Sequence, residues 1–186
     1  MATDSLYEEV IIAGFGGQGI ILAGKLLAQT AMNAGKEATY MPSYGAEMRG
    51  GTANSMVVVS DKPIASPLVS NPSSLIVMNK ASVNKFASRV ENGGLIVYNS
   101  SLIDTELQVD GSIEVLAIPA DDLAVELGNP RIANMVMVGA YLQKKGYFSP
   151  EMAAKSLPDV LAKRYHNMLD INTKALQRGA DFAKDN

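Results

Sequence analysis

Residues Val10 to Gly24 read V-I-I-A-G-F-G-G-Q-G-I-I-L-A-G. A short apolar run leads into Gly14-x-Gly16-x-x-Gly19, and an apolar pattern at helical spacing follows. Such a segment brings backbone close to a phosphate. The glycines permit a tight turn and close approach, and the next helix turns its free N–H groups and positive dipole end toward an anion. Gly14, Gly16, Gly17 and Gly19 are four glycines in six residues. Glycine costs about 1 kcal/mol in backbone entropy where nothing requires it. A bare turn needs fewer, so contact with a ligand or partner is expected.

A dinucleotide site is the first chemistry to test. It needs a carboxylate about 20 residues beyond the glycines, at the end of the second strand, to hold a ribose. Glu37 has that spacing but opens the strand, and the far end, Met41-Pro42-Ser43, offers no carboxylate. No hydride-transfer constellation accompanies it. His166 is the only histidine and falls in a C-terminal helical region, where an exposed helical role is expected. No His, Asp or Glu cluster has metal-ligand spacing.

A second polar, glycine-rich segment runs Ser43-Tyr44-Gly45-Ala46-Glu47-Met48-Arg49-Gly50-Gly51-Thr52. Arg49 can make a charge-assisted, bidentate contact to an anion. The blander alternative is a Glu47–Arg49 pair, worth about 0–1 kcal/mol if exposed. Tyr44 either stacks on a ligand or covers the loop. Lys25 on the first helix reads as solvated, Arg131 as a first-turn surface or interface residue, and Asn134 as a polar group that caps or bridges buried backbone. Most of the ten methionines read as core filler. Met41 and Met48 flank the second loop and suit a subunit interface.

The elements that must position these loops follow from periodicity. Strands are expected at 9–13, 37–41, 54–60, 75–79, 95–98 and 113–118. Pro42 ends the second. Helices are expected at 19–34, 81–90, from Asp121 to near Gly128, at 130–145, from Pro150, and at 171–184. Strands alternating with helices argue for a three-layer α/β/α sandwich, Rossmann-like, with a mainly parallel sheet. The strand at 54–60 follows its neighbour after a loop too short for a helical crossover, so the sheet is expected to be mixed. Loops leaving the carboxyl ends of the first two strands can then converge on one crevice.

The chain has 186 residues and a net charge of -3. That length suits one domain with a real core, here residues 1–186 with a helical part from about 130. The mild charge implies no nucleic-acid or anionic-membrane surface. No apolar stretch is long enough to span a bilayer, and MATDSLYEE lacks a basic signal region, so a cytoplasmic location is expected. Cysteine is absent, which excludes disulfides, thiolate nucleophiles and Cys-ligated iron–sulfur clusters within this sequence.

GFGGQGIILAGKLLAQTA followed by SYGAEMRGGTAN resembles the gamma subunit of 2-oxoacid:ferredoxin oxidoreductases, the gamma domain of pyruvate:ferredoxin oxidoreductase. A third block, Gly128-Asn129-Pro130-Arg131-Ile132-Ala133-Asn134-Met135 with Gly139-Ala140, is similar to the family's downstream helix. The resemblance covers residues 8 to 180. It implies a complex that oxidatively decarboxylates a 2-oxoacid, transfers the acyl group to coenzyme A and passes two electrons to ferredoxin. It places thiamine diphosphate and magnesium in alpha and beta subunits, and iron–sulfur clusters in partner chains that include a ferredoxin-like delta subunit. On this reading the chain has no catalytic residue of its own and is inactive alone. The glycine loop (Gly14, Gly16, Gly17, Gln18 and Gly19) and the second loop (Ser43, Tyr44, Arg49 and Gly50) would line the coenzyme A channel, or the wall facing thiamine diphosphate. Pyruvate, 2-oxoglutarate, branched-chain 2-oxoacids and arylpyruvates are all family substrates, and a compact separate gamma chain favours 2-oxoglutarate. A stand-alone NAD(P) enzyme and a non-catalytic scaffold are the alternatives.

Overall fold

The computed structural model describes residues 5–44 and 52–186. Its strands are β1 (Tyr7–Phe15), β2 (Glu37–Tyr44), β3 (Thr52–Ser60), β4 (Ser74–Val77), β5 (Leu95–Asn99) and β6 (Glu114–Ile118). Its helices are α1 (Ile20–Asn33), α2 (Lys80–Phe86), α3 (Ala120–Glu126), α4 (Ala133–Lys145), α5 (Pro150–Val160) and α6 (Leu169–Asp185). Short 3₁₀ turns at Ala87–Arg89, Pro130–Ile132 and Lys163–Met168 precede or follow them.

The strands form one sheet in the order β2-β3-β1-β4-β5-β6. β3 is antiparallel to both β1 and β2, and β1, β4, β5 and β6 are parallel. The expected mixed, mainly parallel sheet is therefore present, with helices on both faces. β1 leads through α1 toward β2, and β4 leads through α2 toward β5. Right-handed crossovers running in opposite directions put their helices on opposite faces. The chain thus reverses direction between β1 and β4, the switch point of a doubly wound sheet.

Alternation along β1 separates two cores. Val10 and Ile12 join Leu26, Leu27, Met135, Val136 and Leu176 under the helices of one face. Ile11 and Ala13 join Val58, Leu75, Phe86 and Ile96 on the other. The last three helices share the first core with α1 and the sheet, and α4 packs most extensively on α6.

Two boundaries differ from expectation for physical reasons. β2 continues through Pro42 to Tyr44 instead of stopping at Met41. It is an edge strand, where the donor that proline lacks need not face a neighbour. The helix expected from Pro130 begins as a 3₁₀ turn, with Asn129 Oδ1 accepting from Arg131 N–H at 3.0 Å, and becomes α-helical at Ala133.

Candidate functional site

β1 and β2 both run antiparallel to β3, so their carboxyl ends share one edge of the sheet. There Phe15 pairs with Thr52 and Tyr44 with Ala53. The two loops therefore leave the sheet at the same edge. A cleft of about 440 Å³ opens beside these strand ends. Phe15, Gly16, Gly17 and Gly19 form one wall. The first turn of α1, with Ile20, Ile21 and Leu22, continues it to Lys25. Tyr44 and Ala53 close the far side.

Gly19 caps α1 at φ 72°, a left-handed conformation that favours glycine, and no side chain caps the helix. The first-turn N–H groups at Ile20, Ile21 and Leu22 therefore border the cleft without a side-chain acceptor. The first turn is pinned from behind. Tyr40 Oη donates to Ile21 O at 3.0 Å and Ser55 Oγ to Ile20 O at 3.2 Å. Burial pushes the Tyr40 phenol above its ordinary range, so it remains a donor.

Of the expected site residues, Gly16, Gly17, Gly19 and Tyr44 line this cleft. Gly14 and Gln18 do not. Gln18 turns inward: its Oε1 accepts from Phe15 N–H at 2.7 Å and from Asn79 Nδ2 at 3.3 Å, and its Nε2 points at Met78 O at 3.4 Å. Ser43 is exposed and pairs with Asn54; by alternation it faces away from Tyr44 and the cleft. Arg49 and Gly50, with Glu47 and Met48, lie outside the described residues. Lys25 reads from sequence as solvated. It is exposed, as expected, but it also borders the cleft, one turn along α1 from Ile21. The helical spacing of Ile21 and Lys25 was the signal that could have placed it there.

Gln18 also bears on the dinucleotide alternative. The switch-point crevice, where such a ligand sits, lies between the loops that follow β1 and β4. In this protein the Gln18 carboxamide spans those loops through Met78 and Asn79. His166 is far along the chain in the last 3₁₀ turn, 3.1 Å from Leu161 O, and is not among the cleft residues. Asn134 takes the bridging role expected of it, donating to Gly19 O at 3.1 Å. Arg131 is exposed. A larger groove of about 700 Å³ lies on the other face, between α2 and residues 103–113. Among the described residues no three His, Asp or Glu side chains gather as a metal site. No described helix is long and apolar enough to cross a membrane.

A glycine loop at the head of a mixed α/β sheet, facing an open cleft, places the chain in the Rossmann-like class. A family model described as pyruvate ferredoxin/flavodoxin oxidoreductase matches residues 9–182. The chain belongs to that family, and its fold is that of the family's gamma subunits. It is 34% identical over 177 residues to the ketoisovalerate oxidoreductase subunit VorA of Methanothermobacter thermautotrophicus, covering 95% of this chain and 36% of that protein. The chain thus spans about a third of the length of that relative. It is also 34% identical over 180 residues to the 2-oxoglutarate synthase subunit KorC of Methanocaldococcus jannaschii, covering 96% of this chain and 95% of that one. The gamma subunit of a keto/oxoacid ferredoxin oxidoreductase from Geobacter sulfurreducens superposes with a TM-score of 0.80 at 28% identity, over 96% of this chain and 99% of that one. A 2-oxoglutarate:ferredoxin oxidoreductase from Magnetococcus marinus, solved with 2-oxoglutarate, coenzyme A and succinyl-CoA bound, shares the fold. Its TM-score is 0.86 at 24% identity, over 97% of this chain and 31% of that chain.

Proposed function

We propose that this chain works as the gamma subunit of a cytoplasmic 2-oxoacid:ferredoxin oxidoreductase and that its cleft forms part of the coenzyme A channel. The single observation that carries the second point is the meeting of Gly16, Gly17 and Gly19 with the uncapped first turn of α1, Lys25 and Tyr44 around one open cleft. Backbone donors and one lysine suit a phosphate. The apolar side chains of Phe15, Ile21, Leu22 and Tyr44 suit a pantetheine arm or an adenine ring. Arg49, in the segment joining Tyr44 to Thr52, adds a second cation by sequence.

On this reading the chain performs no bond-making step. It binds and orients the acyl acceptor. Thiamine diphosphate, magnesium and the iron–sulfur clusters reside in alpha, beta and ferredoxin-like delta partners, consistent with a sequence lacking cysteine. 2-Oxoglutarate is the favoured substrate. KorC, a 2-oxoglutarate synthase subunit, matches along nearly its whole length, whereas VorA matches over about a third.

Isolation of the complex that contains this chain, followed by coenzyme A-dependent dye reduction with a panel of 2-oxoacids, tests the assignment. The highest kcat/KM is expected with 2-oxoglutarate. Replacement of Lys25 and Arg49 by alanine in that complex tests the channel. Unchanged KM for coenzyme A and unchanged turnover in both variants would remove the coenzyme A reading.

A further inference from the structure

The glycine loop is held from inside by side-chain amides drawn from three places in the chain. Gln18 belongs to the loop itself, Asn79 caps α2 and Asn134 lies in the first turn of α4. Asn79 and Asn134 are each 4% exposed, so their polar groups have little recourse to water. Asn79 uses both ends of its amide: its Oδ1 accepts from Ser82 N–H at 2.8 Å while its Nδ2 donates to Gln18 Oε1. Gln18 Oε1 in turn fixes Phe15 N–H, the last backbone donor of β1. Asn134 Nδ2 fixes the Gly19 carbonyl, which also receives the first helical hydrogen bond, from Ala23 N–H at 3.0 Å.

Two of the glycines make room for these amides. A Cβ at Gly14 would stand 2.7 Å from Gln18 Oε1, and one at Gly19 would stand 2.3 Å from Asn134 Nδ2. At Gly16 and Gly17 the same atom would meet nothing within 4 Å. The loop therefore has a filled inner side and a bare outer side.

We propose that Gln18 and Asn134 are positioning residues, which clamp the two ends of the glycine loop so that Gly16 and Gly17 face the cleft in one fixed shape. The consequence for coenzyme A rests on the reading of that cleft given above; the clamp does not. The Gln18 contacts make a specific demand. Its two protein donors both address Oε1, and the Nε2 contact to Met78 O is the longest at 3.4 Å. The acceptor oxygen, rather than the amide nitrogen, is the part that positions.

Amide hydrogen exchange on the full chain reads the clamp directly. Gln18→Leu keeps the volume and removes the acceptor, and exchange at Phe15 should accelerate by about tenfold or more. Gln18→Glu keeps the acceptor at the cost of an oxygen beside Met78 O, and should stay within about threefold of the parent. Asn134→Asp keeps shape, removes the donor to Gly19 and should accelerate exchange at Ala23, whose N–H donates to the same carbonyl, which carries the test if Gln18→Leu does not fold. In the isolated complex, Gln18→Leu should raise KM for coenzyme A about tenfold with kcat within about twofold, since a preorganised binding wall acts on binding. Unchanged exchange in Gln18→Leu and Asn134→Asp, or equal acceleration in Gln18→Leu and Gln18→Glu, overturns the clamp. Accelerated exchange with an unmoved KM upholds the clamp and removes the coenzyme A reading.

Discussion

Gly139 and Gly179 press into each other's helices. A Cβ at Gly139 would lie 1.9 Å from Leu176 O, and one at Gly179 would lie 1.9 Å from Val136 O. Each glycine sits against the backbone one turn before the other. α4 and α6 thus cross in backbone contact, and side chains close around the crossing instead of separating it. Alanine gains about 1 kcal/mol over glycine in an exposed helix interior. Here the added methyl has no flexible neighbour to displace, and the helices must separate. Gly139→Ala and Gly179→Ala are each expected to destabilise the chain by about 3 kcal/mol or more. Urea unfolding measures this. A stabilised Gly179→Ala would show that the helices do not meet at this distance.

This crossing is not legible in the sequence, whereas most of the fold around it is. Strong periodicity located the six strands and the helices, and a short β2–β3 connection revealed the antiparallel strand. The Gly14–Gly19 turn was legible because its neighbours were an apolar strand and an apolar helix. Gly139 was visible within a family block but gave no sign of what it touches, because its partner lies on a different helix. Gln18 read as part of the ligand wall; only the fold shows Asn79 and Met78 behind it. Glu8 is a related case. The strand expected from residue 9 begins at Tyr7, and Glu8 is 3% exposed.

Glu8 is made tolerable by residues remote in sequence. Its Oε2 pairs with Lys145 Nζ at 3.1 Å, and its Oε1 accepts from Tyr141 Oη at 3.2 Å and from Ser74 Oγ. Burial, and then Glu8, pushes the Tyr141 phenol well above its ordinary range, so it remains a neutral donor. The two ends of the ion pair are not equivalent. Lys145 keeps a 20% exposed side chain and can reach water, whereas the Glu8 side chain is 4% exposed. Lys145→Met therefore strands a buried carboxylate and should cost about 3–5 kcal/mol. Glu8→Gln leaves an amide oxygen for Tyr141 and Ser74 and should cost about 1–2 kcal/mol. Chemical denaturation of both variants checks the order; a larger loss in Glu8→Gln would contradict it.

Asp61 gives stability a dependence on acid. Lys36 first, and then the Leu6 N–H at 2.7 Å, hold its carboxyl below the ordinary value of 3.8. A group with a depressed folded pKa stabilises fully above its unfolded value, and that contribution is lost as pH falls through the folded value. Asp61→Asn should therefore lower the melting temperature near neutral pH, and the deficit should begin to shrink near pH 3.8 and vanish once pH lies below the still lower folded value. The carboxylate is solvent-exposed, so the effect should be small and should shrink with added salt. Thermal melts across the acid range would show it. A deficit that persists undiminished in acid would assign the loss to something other than charge.

Lys25 and Tyr44 bear most directly on the cleft. Lys25 is exposed and has no ion-pair partner among the described residues. Tyr44 is 68% exposed although it ends a strand. Neither position contributes much to the core, so replacing either should change stability by no more than about 0.5 kcal/mol. If Lys25 faces a coenzyme A phosphate, Lys25→Ala should raise KM for coenzyme A by about three- to tenfold, and Lys25→Glu by more. The difference between those two variants should shrink as ionic strength rises, because the cleft is open to solvent and its charges are screened. Tyr44→Ala should raise the same KM by about threefold or more through lost ring contact, without that salt dependence. Steady-state kinetics of the isolated complex at two salt concentrations separate the two contributions. A Lys25→Glu variant with parental KM at low salt would mean that the phosphate lies elsewhere.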